Sequence, residues 1–329
     1  MHLDGGTDWF VTPVGAWDGR ILLSRISSVS AAQHADLRET FELWNPATRS
    51  AATAWSVPAG QQDWIDGIDG DWVATVRTGL SMPFPVWSLI LRNIKTGETR
   101  TIASDDIAVR NVPGIRPTLP RGFAPLPSIS NGSVVWVETD IDRSTGLPVH
   151  RVQLYDLASQ TTSTITQDHD ARVSDLWSPA ISGHYVAWAF VPKSGDPQQV
   201  LLRDMSTDAT RQIRDPGQVF SLGFTTDGKY LAWTAPGQAY VESLLTGDRV
   251  GFAANDGLTF SGHKISWWPQ DTGLRSIGGY YDIDTHTVRY VSPPAGTVMA
   301  VAGVAGPWFY WLTNDHQSGV ATYHFMTTG

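Results

Sequence analysis

The sequence predicts an all-β chain, a seven-bladed β-propeller built from four-stranded antiparallel blades. Three observations predict it. A glycine-centred stretch recurs seven times along the 329 residues. A second stretch, ending in Asp or Asn and then a Thr/Ser-Gly-like turn, follows each copy. No segment between them carries a helical apolar period.

The first stretch is clearest in Ile181-Ser-Gly-His-Tyr-Val-Ala-Trp188. It recurs at Ile129–Trp136, Thr226–Trp233, Phe260–Trp267 and Val304–Trp311, and more weakly at Ile68–Thr75 and Trp17–Ser24. Its glycine column reads Gly19, Gly70, Asn131, Gly183, Gly228, Gly262 and Gly306. Glycine and asparagine tolerate a left-handed backbone, so the column predicts a tight turn that opens a strand. The second stretch appears at Leu43–Arg49, Leu91–Gly97, Leu154–Gln160, Leu202–Asp208, Val241–Gly247 and Tyr280–His286. Each reads as a strand closed by a turn, with a further short strand behind it, such as Glu98–Ile102. The spacing between successive copies is roughly the 40 to 50 residues of one propeller blade. Seven copies predict seven blades in one domain spanning 1–329. The last unit stops at the turn before its fourth strand, so a strand from between Met1 and Pro13 is expected to complete that blade and close the ring, because closure removes an unpaired edge.

The pattern [DSN]-G-x-x-[VIL]-A-W followed by hydrophobic-Y-D-[LI]-x-T-G resembles the TolB-like, WD40-like repeat of bacterial propellers. Asp227-Gly-Lys-Tyr-Leu-Ala-Trp233 and Leu154-Tyr-Asp-Leu-Ala-Ser159 fit it best. The resemblance covers nearly the whole chain and implies the fold. Such propellers occur as periplasmic or cell-surface binding modules, as gating domains of prolyl-oligopeptidase-type peptidases, and in a few polysaccharide lyases. The resemblance therefore implies an extracytoplasmic setting and carries no catalytic residue onto this chain. No Gly-x-Ser-x-Gly elbow is present to support a gated hydrolase.

Composition narrows the classes further. A formal charge of −9 and the absence of a basic run argue against a nucleic-acid partner. No stretch is apolar enough for a helical membrane span, and no signal-peptide pattern opens the chain. With no cysteine, thiolate metal sites, disulfides and a cysteine nucleophile are excluded. Neither a cofactor nor a metal site is expected. The series Glu138-Thr-Asp-Ile-Asp-Arg-Ser-Thr-Gly146 alternates acids but misplaces the glycine that a calcium loop needs.

His184 and His263 share a column with Arg20, Asp71, Gly132, Lys229 and Pro307, so they are read as exposed turn positions rather than ligands. Asp156, Asp204 and Asp282 recur once per blade and are read as turn caps. Trp136, Trp188, Trp233, Trp267 and Trp311 are read as filling the wedges between blades. Candidate function therefore falls to three long loops, 25–40, 104–127 and 138–150, expected on one sector of one face. Arg110, Arg116 and Arg121 stand among prolines in the second of them. They suit an anionic ligand, or else pair with Asp105 and Asp106. Trp64 and Trp177 lie in first strands and either stack on a sugar or peptide or fill the core. With Arg172, Asp140 and His150 these residues form the expected ligand-binding set, and no catalytic residue is assigned. The expected function is a non-catalytic binding or scaffolding propeller for a protein or glycan. The alternative is a carbohydrate-active lyase or hydrolase at the channel mouth, which requires Asp140, Asp142, His150, Asp170, Arg172 and Arg121 to converge.

Overall fold

A computed structural model gives the structure. It describes residues 8–28, 37–79, 86–104, 125–141, 144–145, 148–168, 179–190, 197–213, 215–254, 257–271, 276–295, 297–315 and 321–328. The described residues form seven antiparallel sheets in chain order, with no helix, and the fold is a seven-bladed β-propeller.

The first blade holds β1 (Asp8–Trp17), β2 (Arg20–Ser28), β3 (Leu37–Asn45) and β4 (Ser50–Ser56). The second holds β5 (Gln61–Asp69), β6 (Trp72–Gly79), β7 (Trp87–Asn93) and β8 (Thr99–Ser104). The third holds β9 (Ser128–Ser130), β10 (Ser133–Ile141), β11 (Pro148–Asp156) and β12 (Thr161–Asp168). The fourth holds β13 (Ala180–Ser182), β14 (Tyr185–Phe190), β15 (Gln199–Asp204) and β16 (Ala209–Ile213). The fifth holds β17 (Ser221–Phe224), β18 (Tyr230–Ala235), β19 (Gln238–Ser243) and β20 (Arg249–Ala253). The sixth holds β21 (Thr259–Ser261), β22 (Lys264–Asp271), β23 (Ser276–Asp282) and β24 (Thr287–Val291). The seventh holds β25 (Thr297–Ala305), β26 (Trp308–Asp315) and β27 (Ala321–Thr327).

Among the described residues the seventh sheet has three strands. Of the expected donor stretch, Asp8–Pro13 lies in β1, beside β2 in the first sheet, and residues 1–7 lie outside the described residues. A strand's own alternation does not name its neighbour.

The turn chemistry follows the repeat. Every residue of the glycine column has a positive φ, from 48° at Asn131 to 70° at Gly19. In the second column Arg49, Gln160, Asp208 and His286 join Gly97 and Gly247 in that left-handed region. The side chain that closes the third strand accepts the turn's backbone donors, a carboxylate or amide in most blades and the Ser243 hydroxyl in the fifth. Asn93 Oδ1 takes the N–H groups of Lys95 and Thr96, Asp156 Oδ1 that of Ser159, and Asp282 Oδ1 those of Asp284 and Thr285. These bonds hold the Asp156 and Asp204 carboxyls below the usual range, with Ser159 and Ser206 as the main donors. The aspartate series is structural.

By compactness the chain divides into two units, residues 1–25, 43–51 and 218–329 in one and 26–42 and 52–217 in the other. In the second unit, one apolar cluster joins Val76, Leu89 and Leu91 of the second blade to Ile129, Val134 and Trp136 of the third. Another joins Val135 and Val152 to Ile181, Val186 and Trp188. In the first unit, Ala232, Ala239 and Val241 of the fifth blade meet Ile265, Trp267 and Tyr281 of the sixth. Trp136, Trp188 and Trp267 fill wedges between blades, as the column predicts, and each buries a large apolar area there.

Candidate functional site

Within the second unit, the start of β5 combines an exposed aromatic with a buried charge pair. Strand alternation sends Gln62 and Trp64 to one side of the second sheet and Asp63 to the other. The register extends each set across the sheet. Gln62 stands opposite Thr78, and Thr78 opposite Trp87. Asp63 stands opposite Arg77, and Arg77 opposite Ser88.

The first side is aromatic and polar. Trp64 is 52% exposed, and its indole Nε1–H donates to Thr78 Oγ1 at 3.3 Å. Trp87 packs against the cluster shared by the second and third blades. Trp136 of that cluster stands opposite Gln153, and Glu138 stands opposite Arg151, two residues along each strand on the same side. Gln153 Nε2 donates to Glu138 Oε2 at 3.0 Å and accepts from Thr164 Oγ1 at 2.9 Å. A fixed indole therefore has carboxylate, amide and hydroxyl groups on the facing side of the next blade.

The other side is a buried ion pair. The Asp63 side chain has no exposed surface, and Arg77 grips it with a fork, Nε to Oδ1 at 2.7 Å and Nη2 to Oδ2 at 2.8 Å. The Asp63 backbone N–H donates to Glu39 Oε2 at 2.6 Å, and Glu39 is itself buried. Beyond it Arg92 lies over the Trp55 ring at 5.1 Å, and Trp55 stacks on Phe41 at 4.4 Å. Burial pushes the Arg92 guanidinium below its ordinary value, against the raising influence of Asp63. A carboxylate gripped in two places and cut off from solvent holds an arginine in place.

The expected ligand-binding residues fare unequally. Trp64 is exposed as that role requires. His150 is buried at the start of β11, opposite Thr139 and Asp168. Asp140 lies in β10 opposite Val149, so the register places positions 140 and 150 on opposite sides of the third sheet. Arg110, Arg116, Arg121, Arg172 and Trp177, with Asp142 and Asp170, lie outside the described residues. Two of the three long loops are shorter than expected. β2 runs on to Ser28 and β3 begins at Leu37, while β10 runs on to Ile141 and β11 begins at Pro148. Hairpin pairing continued into polar residues that carried no strand pattern. Asp63, Arg77 and Glu39 were not singled out from the sequence, since only the register reveals a charge pair across strands; the alternation in Gln61-Gln-Asp-Trp-Ile65 was the available signal.

The histidines behave as turn residues, with one addition. His184 is half-exposed, with its ring against Tyr185 at 4.1 Å. His263, in the first unit, is clamped: Nδ1 meets Asp284 Oδ1 at 2.6 Å and Nε2 meets Asp227 Oδ2 at 2.8 Å. Asp227 belongs to the fifth blade's turn, so the imidazole ties two blades together. Among the described residues no cluster of His, Asp and Glu is arranged to hold a metal ion, and no helix is long and apolar enough to cross a membrane.

No family profile and no curated protein matches the chain. Solved structures do. The β-propeller domain of the Trilobed protease from Pyrococcus furiosus is 9% identical with a TM-score of 0.62, covering 98% of this chain and 97% of that one. Oligogalacturonate lyase from Vibrio parahaemolyticus is 11% identical with a TM-score of 0.60, over 97% of this chain and 93% of that one. TolB from Acinetobacter baumannii is 15% identical with a TM-score of 0.47, over 94% and 80%. At such identities the likeness to the first two shows the fold alone, a β-propeller.

Proposed function

We propose that this chain is a non-catalytic binding propeller whose protein or glycan ligand meets the loop-bearing end of the second and third blades. One observation carries the reading: the Trp64 indole is half-exposed and bonded through Nε1 to Thr78, while the carboxylate beside it in β5, Asp63, is committed to Arg77. Exposed tryptophans are over-represented among residues that dominate binding energy. Glu138 and Arg151 supply polar groups on the facing side, and Arg110, Arg116 and Arg121 are the candidates for an anionic portion of the ligand. The extracytoplasmic setting rests on the resemblance alone.

The test is a glycan array and a pull-down from the source organism, run with the wild type and with Trp64→Ala. Retention of one ligand class that drops about tenfold or more in the variant, with the unfolding midpoint unchanged, supports the reading. Equal retention by both proteins overturns it. The competing reading, a lyase or hydrolase acting on an acidic glycan, draws on the likeness to oligogalacturonate lyase and on the three arginines. Release of unsaturated or shortened products from polygalacturonate would favour it.

A further inference from the structure

We propose that Trp268 in the sixth blade is a second ligand site, a stacking platform for one ring of a neutral carbohydrate. It stands on residues of the first unit and does not depend on the Trp64 reading.

Trp267 and Trp268 are adjacent in β22 but share nothing in their surroundings: Trp267 is 1% exposed and Trp268 is 57% exposed. Between Trp267 and Gln270 the β22–β23 register slips. Such a bulge places an extra residue in one strand and re-aims its side chain. The indole that it turns outward is held from beneath. Gly257, on the connection from the fifth blade, has φ +76°, and a Cβ there would overlap Trp268 with Cδ2 as the nearest atom. Cδ2 is the ring-fusion carbon, bonded to three ring atoms in the plane, so it is approached closely only from above or below that plane. One flat side of the indole therefore rests on backbone at Gly257, and the exposed surface belongs to the rest of the ring. Tyr290, also exposed, reaches the same connection with its hydroxyl 3.5 Å from the Ala253 carbonyl.

An aromatic held in place and open on one side binds with little further loss of side-chain freedom. A tryptophan offers about 150–250 Å² in total, so this one presents on the order of 100 Å². A pyranose, with its C–H groups on one flat side, covers an area of that size. The net charge of −9 disfavours polyanions, which points to neutral sugars.

The experiment measures retention on immobilised neutral oligosaccharides of glucan, xylan, mannan and chitin, with polygalacturonate and a proline-rich peptide alongside. The proteins are the wild type, Trp268→Ala, Trp268→Phe and Gly257→Ala. Expected is retention of the wild type on at least one neutral sugar and a loss of about tenfold or more in Trp268→Ala. Gly257→Ala, whose Cβ displaces the indole, loses as much, and Trp268→Phe, which keeps a flat ring, loses less. Unfolding midpoints are read for every variant, and where Trp268→Ala does not fold, Trp268→Phe and Gly257→Ala decide. The proposal is overturned if the wild type binds no neutral oligosaccharide, binds only the polyanion or the peptide, or binds equally well without the indole.

Discussion

At the scale of single residues, charge is used chiefly to fix geometry. Asp63 and Arg77 form the clearest case. Removing one partner leaves the other desolvated, which costs about 3–5 kcal/mol for a fully buried pair. Arg77 keeps 19% exposure of its side chain, so Asp63→Ala should fall near the low end. Denaturant unfolding gives the value, and a loss below about 1 kcal/mol would mean that the pair acts like a surface ion pair. The His263 clamp adds a pH dependence. Hydrogen bonds to Asp227, then to Asp284, raise the imidazole above its ordinary 6.5. Burial pushes the Asp227 carboxyl up, but bonds from His263, Lys229 and Thr225 outweigh it and leave the group well below 3.8. The histidine's contribution is therefore complete below pH 6.5 and is lost as pH rises through its folded value; the aspartate's is complete above 3.8 and is lost in acid. Comparing unfolding midpoints of the wild type and His263→Gln from about pH 5 to about pH 9 should show a gap that narrows with rising pH. A gap of constant size would show that the imidazole takes up protons equally in the folded and unfolded chain, so that the clamp does not favour its charged form. His263 was legible as a turn residue from its column, whereas its two carboxylates come from turns 36 and 21 residues away and no local pattern announces them.

At the scale of strands, the first strands of neighbouring blades approach so closely that glycine becomes a packing residue. An added Cβ at Gly67 in β5 would lie 2.8 Å from Ile129 Cγ2 of β9. One at Gly223 in β17 would overlap the Phe260 ring of β21. Gly223→Ala should therefore destabilise by about 1–3 kcal/mol, the usual cost of overpacking. Paired with Phe260→Leu, it should cost less than the sum of the two single changes. Additive effects in that double-mutant cycle would place the strain elsewhere. The repeat made the first turn of each unit readable to the residue, since its column keeps glycine or asparagine where φ is positive. It did not make strand partnership readable, and so the role of Asp8–Pro13 and the ends of β2 and β10 needed the structure. The candidate site was half legible: Trp64 stood out as an aromatic in a first strand, but its hydroxyl partner and the ion pair behind it depend on register alone.

At the scale of the whole molecule, one gradient repeats in blade after blade. Second strands are the core: in β6 residues Val73–Val76 are buried, and in β18 Leu231–Ala235 are. Fourth strands are mostly exposed, as in β4, β16 and β24. Exposed strands with few apolar contacts open at low free energy, and buried ones only near global unfolding. Because the blade is the repeating unit, opening should sort by strand position within a blade and not by blade number. Native-state hydrogen exchange tests this directly. Amides of β4, β8, β16, β20 and β24 should exchange first, and those of β6, β14, β18 and β22 last, within a narrow range of one another. Protection that instead steps from blade to blade would show that cooperativity, and not strand position, sets the order.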